Sequence, residues 1–137
     1  MTLREFLLLA ASLQIGIAVL NLFLVPLLKW QTEIARMPLL LREVFHVHAW
    51  FISLTLAIFA TLTFRFSAEM GIGTNPVAAW LAGGIGVFWA VRTVLQVVWY
   101  SSSHWRGRLD RTLIHIGLLI IYGGFAVVYL AAARTVL

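Results

Sequence analysis

Five polar side chains in apolar surroundings are the residues of this sequence that could do chemistry. They are Glu43, His46, Arg92, Gln96 and His115. His46 and His115 come from different apolar stretches, as the two axial ligands of a b-type haem held between helices would. Arg92 or Arg111 could then pair with the haem propionates. A quinone head group hydrogen-bonded by His115, Arg92 and Gln96 is the related alternative.

Other chemistries have less support. Glu43-x-x-His46 matches one half of a carboxylate-bridged di-iron pattern, but a second Glu-x-x-His is missing and the chain has only five acidic residues. No serine lies in a nucleophile elbow. The absence of cysteine excludes disulfides, thiolate nucleophiles and cysteine-ligated metal sites. We therefore predict no catalytic residue and no metal site, and a non-enzymatic protein is the favoured interpretation.

The chain around these side chains is too apolar for a soluble domain. Its 137 residues are 62% hydrophobic and 11% charged, against about 45–50% and about 25% in soluble domains. Four apolar stretches, at 6–28, 44–64, 77–100 and 112–133, each reach the roughly 20 residues that cross a bilayer. We predict an all-α integral membrane four-helix bundle with up-down-up-down topology. A single transmembrane domain would span 1–137, with both termini on the same side.

Basic residues predict the orientation of these spans. Three lie on the side of the termini: Arg4, Arg65 and Arg134. Six lie on the other side: Lys29, Arg36, Arg42, Arg106, Arg108 and Arg111. By the positive-inside rule the second side faces the cytoplasm, so both termini face the periplasm or the outside. Lipid head groups account for the net charge of +5, and no nucleic-acid partner is needed.

The connections between the spans carry turn and cap signals. They are a short interfacial helix at 30–37, an outer turn at 68–76 and a tight cytoplasmic turn at 101–110. Pro38 should open the helix that carries the second span. Asn75 should be the N-cap of the third span, with Pro76 as its first helical residue.

Depth groups the polar residues of the spans into one layer. Asn21, His46, Arg92, Gln96 and His115 all lie about 3–12 Å inside the cytoplasmic boundary at helical rise. An arginine costs about 2.5–3.5 kcal/mol at the centre of a bilayer, so Arg92 needs a partner. Glu43 is the first choice and Asp110 the second. The layer is either a hydrogen-bonded staple between helices or a redox site.

Small residues form faces on the third and fourth spans, where helices could approach closely. The residues are Ala79, Gly83, Gly86 and Ala90 on the third span, and Gly117, Gly124 and Ala131 on the fourth. Two such faces are more than an isolated bundle needs. They favour a non-catalytic accessory protein that docks onto a larger membrane complex or onto a second copy. A membrane redox protein that binds b-type haem or quinone is the alternative.

Three sequence runs resemble those of a group of known proteins. The runs are 25–30 (VPLLKW), 39–45 (LLLREVF) and 88–96 (FWAVRTVLQ). They are similar to small four-helix proteins of the bacterial inner membrane, a group of unassigned function. The resemblance covers nearly the whole chain and implies the bundle and the bacterial inner membrane. It carries no catalytic or binding residue over to this sequence.

Overall fold

The described part of the chain contains six helices and no strand. A computed structural model describes residues 1–100, 107 and 109–137. The helices are α1 (Leu3–Leu22), α2 (Leu24–Leu27), α3 (Gln31–Ala35), α4 (Leu39–Ile72), α5 (Pro76–Val98) and α6 (Leu109–Ala132). Of these, α1, α4, α5 and α6 are long and apolar enough to cross a membrane. The all-α class and the four spans that a four-helix bundle requires are confirmed.

The described residues form two compact units. The first comprises Met1–Leu7 and Phe66–Leu137, and the second comprises Leu8–Arg65. Helix α4 contributes to both units and is kinked at the boundary, where Phe66 has φ −113° and ψ 16°. One turn earlier, the Thr63 hydroxyl donates to the carbonyl of Phe59 at 2.8 Å, a bond that bends helices. The prediction of a single transmembrane domain stays a prediction.

The start of α1 is set by a capping box. The Thr2 backbone N–H donates to Glu5 Oε2 at 2.6 Å, and the Glu5 N–H donates to Thr2 Oγ1 at 3.3 Å. These reciprocal bonds satisfy donors that the first turn of a helix leaves without partners. Helix α1 therefore begins at Leu3, earlier than the predicted start at Phe6.

The prediction of one unbroken first span over 6–28 is wrong at its C-terminal end. Helix α1 ends at Leu22, Phe23 leaves the helical conformation with φ −100° and ψ 6°, and the separate turn α2 follows. Pro26 explains the break. It has no N–H to donate to the carbonyl of Leu22, and its ring would clash with that carbonyl in a continuous helix.

Helix α2 ends in a Schellman motif built on an unusual residue. The Trp30 N–H donates to the carbonyl of Val25 at 3.0 Å, and the Lys29 N–H donates to that of Pro26 at 3.3 Å. Lys29 has φ 55°, in the left-handed region where this motif normally has glycine. A residue with a Cβ pays about 1–2 kcal/mol for this conformation. The backbone geometry therefore gives no reason for lysine at this position.

The third and fourth helices follow the sequence predictions at their starts but not at the outer turn. Helix α3 lies within the predicted segment 30–37, and α4 begins at Leu39, directly after Pro38. The outer turn predicted at 68–76 is reduced to 73–75, because α4 continues to Ile72. Burial of Met70, which is 0% exposed, favours this extra helical turn.

The start of α5 confirms the predicted cap. Asn75 Oδ1 accepts hydrogen bonds from the backbone N–H groups of Val77 (3.0 Å) and Ala78 (3.2 Å). Pro76 is the first helical residue, where the missing N–H costs nothing. The cytoplasmic turn predicted at 101–110 lies largely outside the described residues, together with Trp105, Arg106 and Arg108.

Within the first unit, α5 and α6 run antiparallel in close contact. A Cβ added at Gly83 would lie 3.4 Å from Ala133 Cβ, and one at Gly86 would lie 2.9 Å from the Leu130 side chain. The residue numbers of the contacts increase along α5 as they decrease along α6, so the two helices are antiparallel. The small face predicted around Gly83 and Gly86 is therefore used inside the chain.

Both termini lie beside the connection between α4 and α5. A Cβ at Gly71 would be 3.1 Å from Arg4 Cβ, and one at Gly73 would be 3.5 Å from Thr135 Cγ2. Arg4 stands near the start of α1, and Thr135 follows the end of α6. The termini therefore share a side with this connection, as predicted.

The α5–α6 contact predicts unequal effects of alanine at two neighbouring glycines. The Cβ of Gly86→Ala would also lie 3.1 Å from the backbone nitrogen of Leu130, which cannot swing aside. At Gly84 a Cβ meets nothing within 4 Å. We expect Gly86→Ala to be about 1–3 kcal/mol less stable than Gly84→Ala, as measured by unfolding in mixed detergent micelles. Equal stability of the two variants would contradict the packing described here.

Candidate functional site

Three of the predicted site residues form one hydrogen-bonded chain in the first unit. Arg92 and Gln96 lie one turn apart on α5, and Arg92 Nη1 donates to Gln96 Oε1 at 3.0 Å. The other end of the amide, Gln96 Nε2, lies 3.2 Å from His115 Nδ1 on α6. Gln96 is 6% exposed, so this bridge between the helices is shielded from the surroundings. In apolar surroundings such bonds between helices are each worth about 0.6 kcal/mol, and up to about 1.7.

Aromatic rings surround Arg92, the charged end of this hydrogen-bonded series. The Arg92 guanidinium lies 5.0 Å from the centre of the Tyr122 ring and 5.9 Å from that of Tyr100. Trp89 stacks on Tyr122 with ring centres 5.1 Å apart and packs edge-on against Phe125 at 4.7 Å. Cation–π attraction to the tyrosine faces stabilises this half-buried guanidinium.

The interactions of Arg92 differ from the predicted ion pair. Within its own unit the guanidinium contacts Gln96, Tyr122 and Tyr100, and Asp110 is not among its partners in the described part of the chain. Glu43 belongs to the second unit, so its predicted pairing with Arg92 stays a prediction. The neutral and aromatic partners of Arg92 were not predicted from the sequence. Tyr122 lies seven residues after His115 and so shares a helical face with it, which is a signal that the sequence does contain.

The hydrogen-bond chain has one polarity. A guanidinium has five N–H donors and no acceptor, so the atom of Gln96 that faces Arg92 must be its carbonyl oxygen. The amide NH₂ then faces His115 and donates to Nδ1. A ring nitrogen that accepts a hydrogen bond carries no proton, so this arrangement assigns the His115 tautomer with its proton on Nε2.

This tautomer bears on the haem interpretation. A histidine that ligates a metal through Nε2 needs that nitrogen unprotonated and usually donates a hydrogen bond from Nδ1–H. His115 has the opposite arrangement, and Arg92 prevents Gln96 from turning its amide to reverse it. The geometry favours a structural role for His115, or a hydrogen bond from Nε2–H to an oxygen, over ligation of iron.

In the second unit, the side chains of Asn21 and Ser53 form a hydrogen-bonded network. Asn21 Nδ2 donates to the carbonyl of Ala49 at 2.8 Å and to Ser53 Oγ at 2.9 Å, and Ser53 Oγ donates to the carbonyl of Ala18 at 2.9 Å. Asn21 and Ala18 are on α1, whereas Ala49 and Ser53 are on α4. The network therefore ties these two antiparallel helices together. Ser53 was signalled by its place seven residues after His46 on one helical stripe.

The other two predicted site residues lie on the surface of the second unit. The side chains of Glu43 and His46 are exposed, and the ring of His46 packs edge-on against Phe45 with centres 5.8 Å apart. Trp50, on the same stripe, is 66% exposed. Among the described residues no group of three or more His, Asp or Glu could hold a metal ion. The structure thus joins Arg92, Gln96 and His115, and the roles of Glu43 and His46 stay predictions.

The hydrogen bond between Gln96 and His115 predicts non-additive effects on stability. We expect Gln96→Leu and His115→Leu to be coupled by about 0.6–1.7 kcal/mol in a double-mutant cycle, since either change alone removes the shared bond. The measurement is the free energy of unfolding in mixed micelles. The matched control combines Gln96→Leu with Asn75→Ala, about 31 Å away along α5, where effects should add. Additive effects of Gln96→Leu and His115→Leu would contradict the bridge.

Comparison of the chain with known proteins identifies no relative. No protein family, curated protein or solved structure matches it. The resemblance to small four-helix proteins of the bacterial inner membrane stays a prediction.

Proposed function

We propose that this protein is a non-catalytic accessory subunit of a larger membrane complex. The observation that carries the proposal is that the buried polar side chains of the described residues have hydrogen-bond partners within the protein, and several of these bonds join two of its helices. Arg92, Gln96 and His115 bridge α5 and α6, while Asn21 and Ser53 bridge α1 and α4. No buried side-chain nitrogen or oxygen in the described residues lacks a hydrogen-bond partner. In a catalytic site, some polar groups would be expected to lack a partner inside the protein, so that they could bind a substrate.

The face of small residues on α6 supports docking of a partner. A Cβ added at Gly117 or Gly124 would meet nothing within 4 Å, in contrast to the crowded space at Gly86. Both glycines belong to α6, on a face that the α5–α6 contact does not use. A transmembrane helix of another subunit can approach the backbone closely at such a face. The partner that we propose is such a helix.

Charge and resemblance support a location in the bacterial inner membrane with both termini in the periplasm. Lys29, Arg36, Arg42 and Arg111 are among the basic residues that the sequence pattern assigns to the side opposite the termini. Basic residues in short connections are retained in the cytoplasm. The surrounding lipid bilayer is then the first partner of the protein, and nucleic acid has no part in the proposal.

The accessory function predicts a large assembly that depends on the free face of α6. Solubilised gently from native membranes, the protein should migrate on a native gel well above its own mass of 15.4 kDa. We expect Gly124→Leu to release the free subunit, because the side chain blocks close approach of a helix. Gly84→Leu is the matched control, because its surroundings are equally open, and it should leave the assembly intact. A wild-type protein that migrates as a monomer would contradict the proposal.

The protein solubilised from native membranes also allows the accessory function to be distinguished from the redox alternative. A b-type haem on His46 and His115 would give a Soret band and a redox-sensitive α band. A quinone on His115, Arg92 and Gln96 would appear in an organic extract and be lost in Arg92→Leu. We expect neither cofactor in stoichiometric amount if the accessory function is correct.

A further inference from the structure

An open apolar groove runs along the end of α1 and the short helix α2 in the second unit. Its volume is about 630 Å³. It is lined by Gly16, Val19, Leu20, Phe23, Pro26 and Leu27. The missing side chain of Gly16 opens one end, since a Cβ there would meet nothing within 4 Å. The break at Phe23 lets Pro26 and Leu27 of α2 join the wall.

The length of this groove matches one leaflet of a membrane. At helical rise the eleven steps from Gly16 to Leu27 span at most about 16 Å, since the helix is broken at Phe23. One leaflet contributes about half of a hydrocarbon core of roughly 30 Å. The wall side chains are also accessible, with Phe23 and Leu27 57% and 60% exposed. An extended acyl chain therefore fits the groove in both length and polarity.

A strained lysine follows the last wall residue of the groove. Lys29 stands two residues after Leu27, with φ 55° in a position where glycine would relieve the backbone. Its ammonium makes no hydrogen bond or ion pair with the described residues, whereas the nearby Arg36 is paired with Glu33 at 3.7 Å. Strain that the local packing does not require points to a role for the side chain itself. A lysine at the cytoplasmic boundary attracts anionic head groups.

We propose that this groove is a binding site for one anionic phospholipid of the cytoplasmic leaflet. One acyl chain lies along Val19, Phe23 and Leu27 and reaches Gly16. The phosphate of the head group pairs with Lys29. The charge makes the site selective for an anionic lipid over a zwitterionic one, and the groove makes it a site for a single lipid.

Native mass spectrometry of the full chain tests this site. The purified protein is titrated with phosphatidylglycerol or with phosphatidylcholine, and the affinity for the first bound lipid is compared. We expect wild type to prefer phosphatidylglycerol. Lys29→Gly should lower the affinity for phosphatidylglycerol about fivefold, the equivalent of about 1 kcal/mol per basic residue. The variant should fold at least as well as wild type, since it removes the left-handed strain.

A second pair of variants tests the groove independently of the charge. Gly16→Leu should fill the Gly16 end of the groove and weaken binding of phosphatidylglycerol, whereas Gly84→Leu, equally free of neighbours, should not. Arg36→Gln matches the charge change of Lys29→Gly and should leave the affinity unchanged. The proposal is overturned by equal affinity of wild type for both lipids, or by unchanged affinity in either Lys29→Gly or Gly16→Leu. A wild-type dimer that Gly16→Leu dissociates would also overturn it, because a second copy would then occupy the groove.

Discussion

A guanidinium group can only donate hydrogen bonds, and the arrangement of polar groups in the first unit depends on that constraint. Arg92 must find an acceptor in apolar surroundings, and it finds the carbonyl oxygen of Gln96. The amide then has only donors left for α6, which makes His115 an acceptor. One charged side chain thereby determines the orientation of an amide, the tautomer of a histidine and the connection between two helices.

Backbone hydrogen bonding imposes the same constraint on the ends of the helices. Donors and acceptors that a helix leaves unpaired are costly in a membrane, so each end needs a local solution. Thr2 and Glu5 close the start of α1, and Asn75 closes the start of α5. The end of α2 uses a Schellman motif whose key position holds Lys29 in place of glycine. This departure is the one that suggests a function, because the local geometry would be satisfied more cheaply by another residue.

Long apolar stretches predicted well the four helices that are long and apolar enough to cross a membrane, since length and hydropathy are what that property depends on. The Asn75-Pro76 cap was also predictable, because its signal is local. The break in α1 and the extension of α4 were not. Pro26 lies inside an apolar stretch that hydropathy treats as uniform, and the helical turn before Ile72 is favoured by burial of Met70, which sequence punctuation does not reveal.

The grouping of Arg92, Gln96 and His115 followed from their depth in the spans, but their bonding did not. A carboxylate partner was predicted for Arg92, because an opposite charge is the simplest compensation for a charge within a membrane span. An amide and two aromatic faces perform that task within this unit. Spacing on a helix also predicts which side chains share a face without predicting which atoms donate. The tautomer of His115, on which the choice between structural staple and haem ligand depends, follows only from the complete chain of bonds.

The protonation pattern of the His115 ring tests this description most directly. Nitrogen NMR of the protein labelled with ¹⁵N-histidine resolves the two ring nitrogens, and loss of one signal set in His115→Leu identifies that ring among the four histidines. The one-way chain from Arg92 through Gln96 predicts a neutral imidazole with Nδ1 unprotonated and Nε2 protonated. A ring protonated on Nδ1, or on both nitrogens, would contradict it.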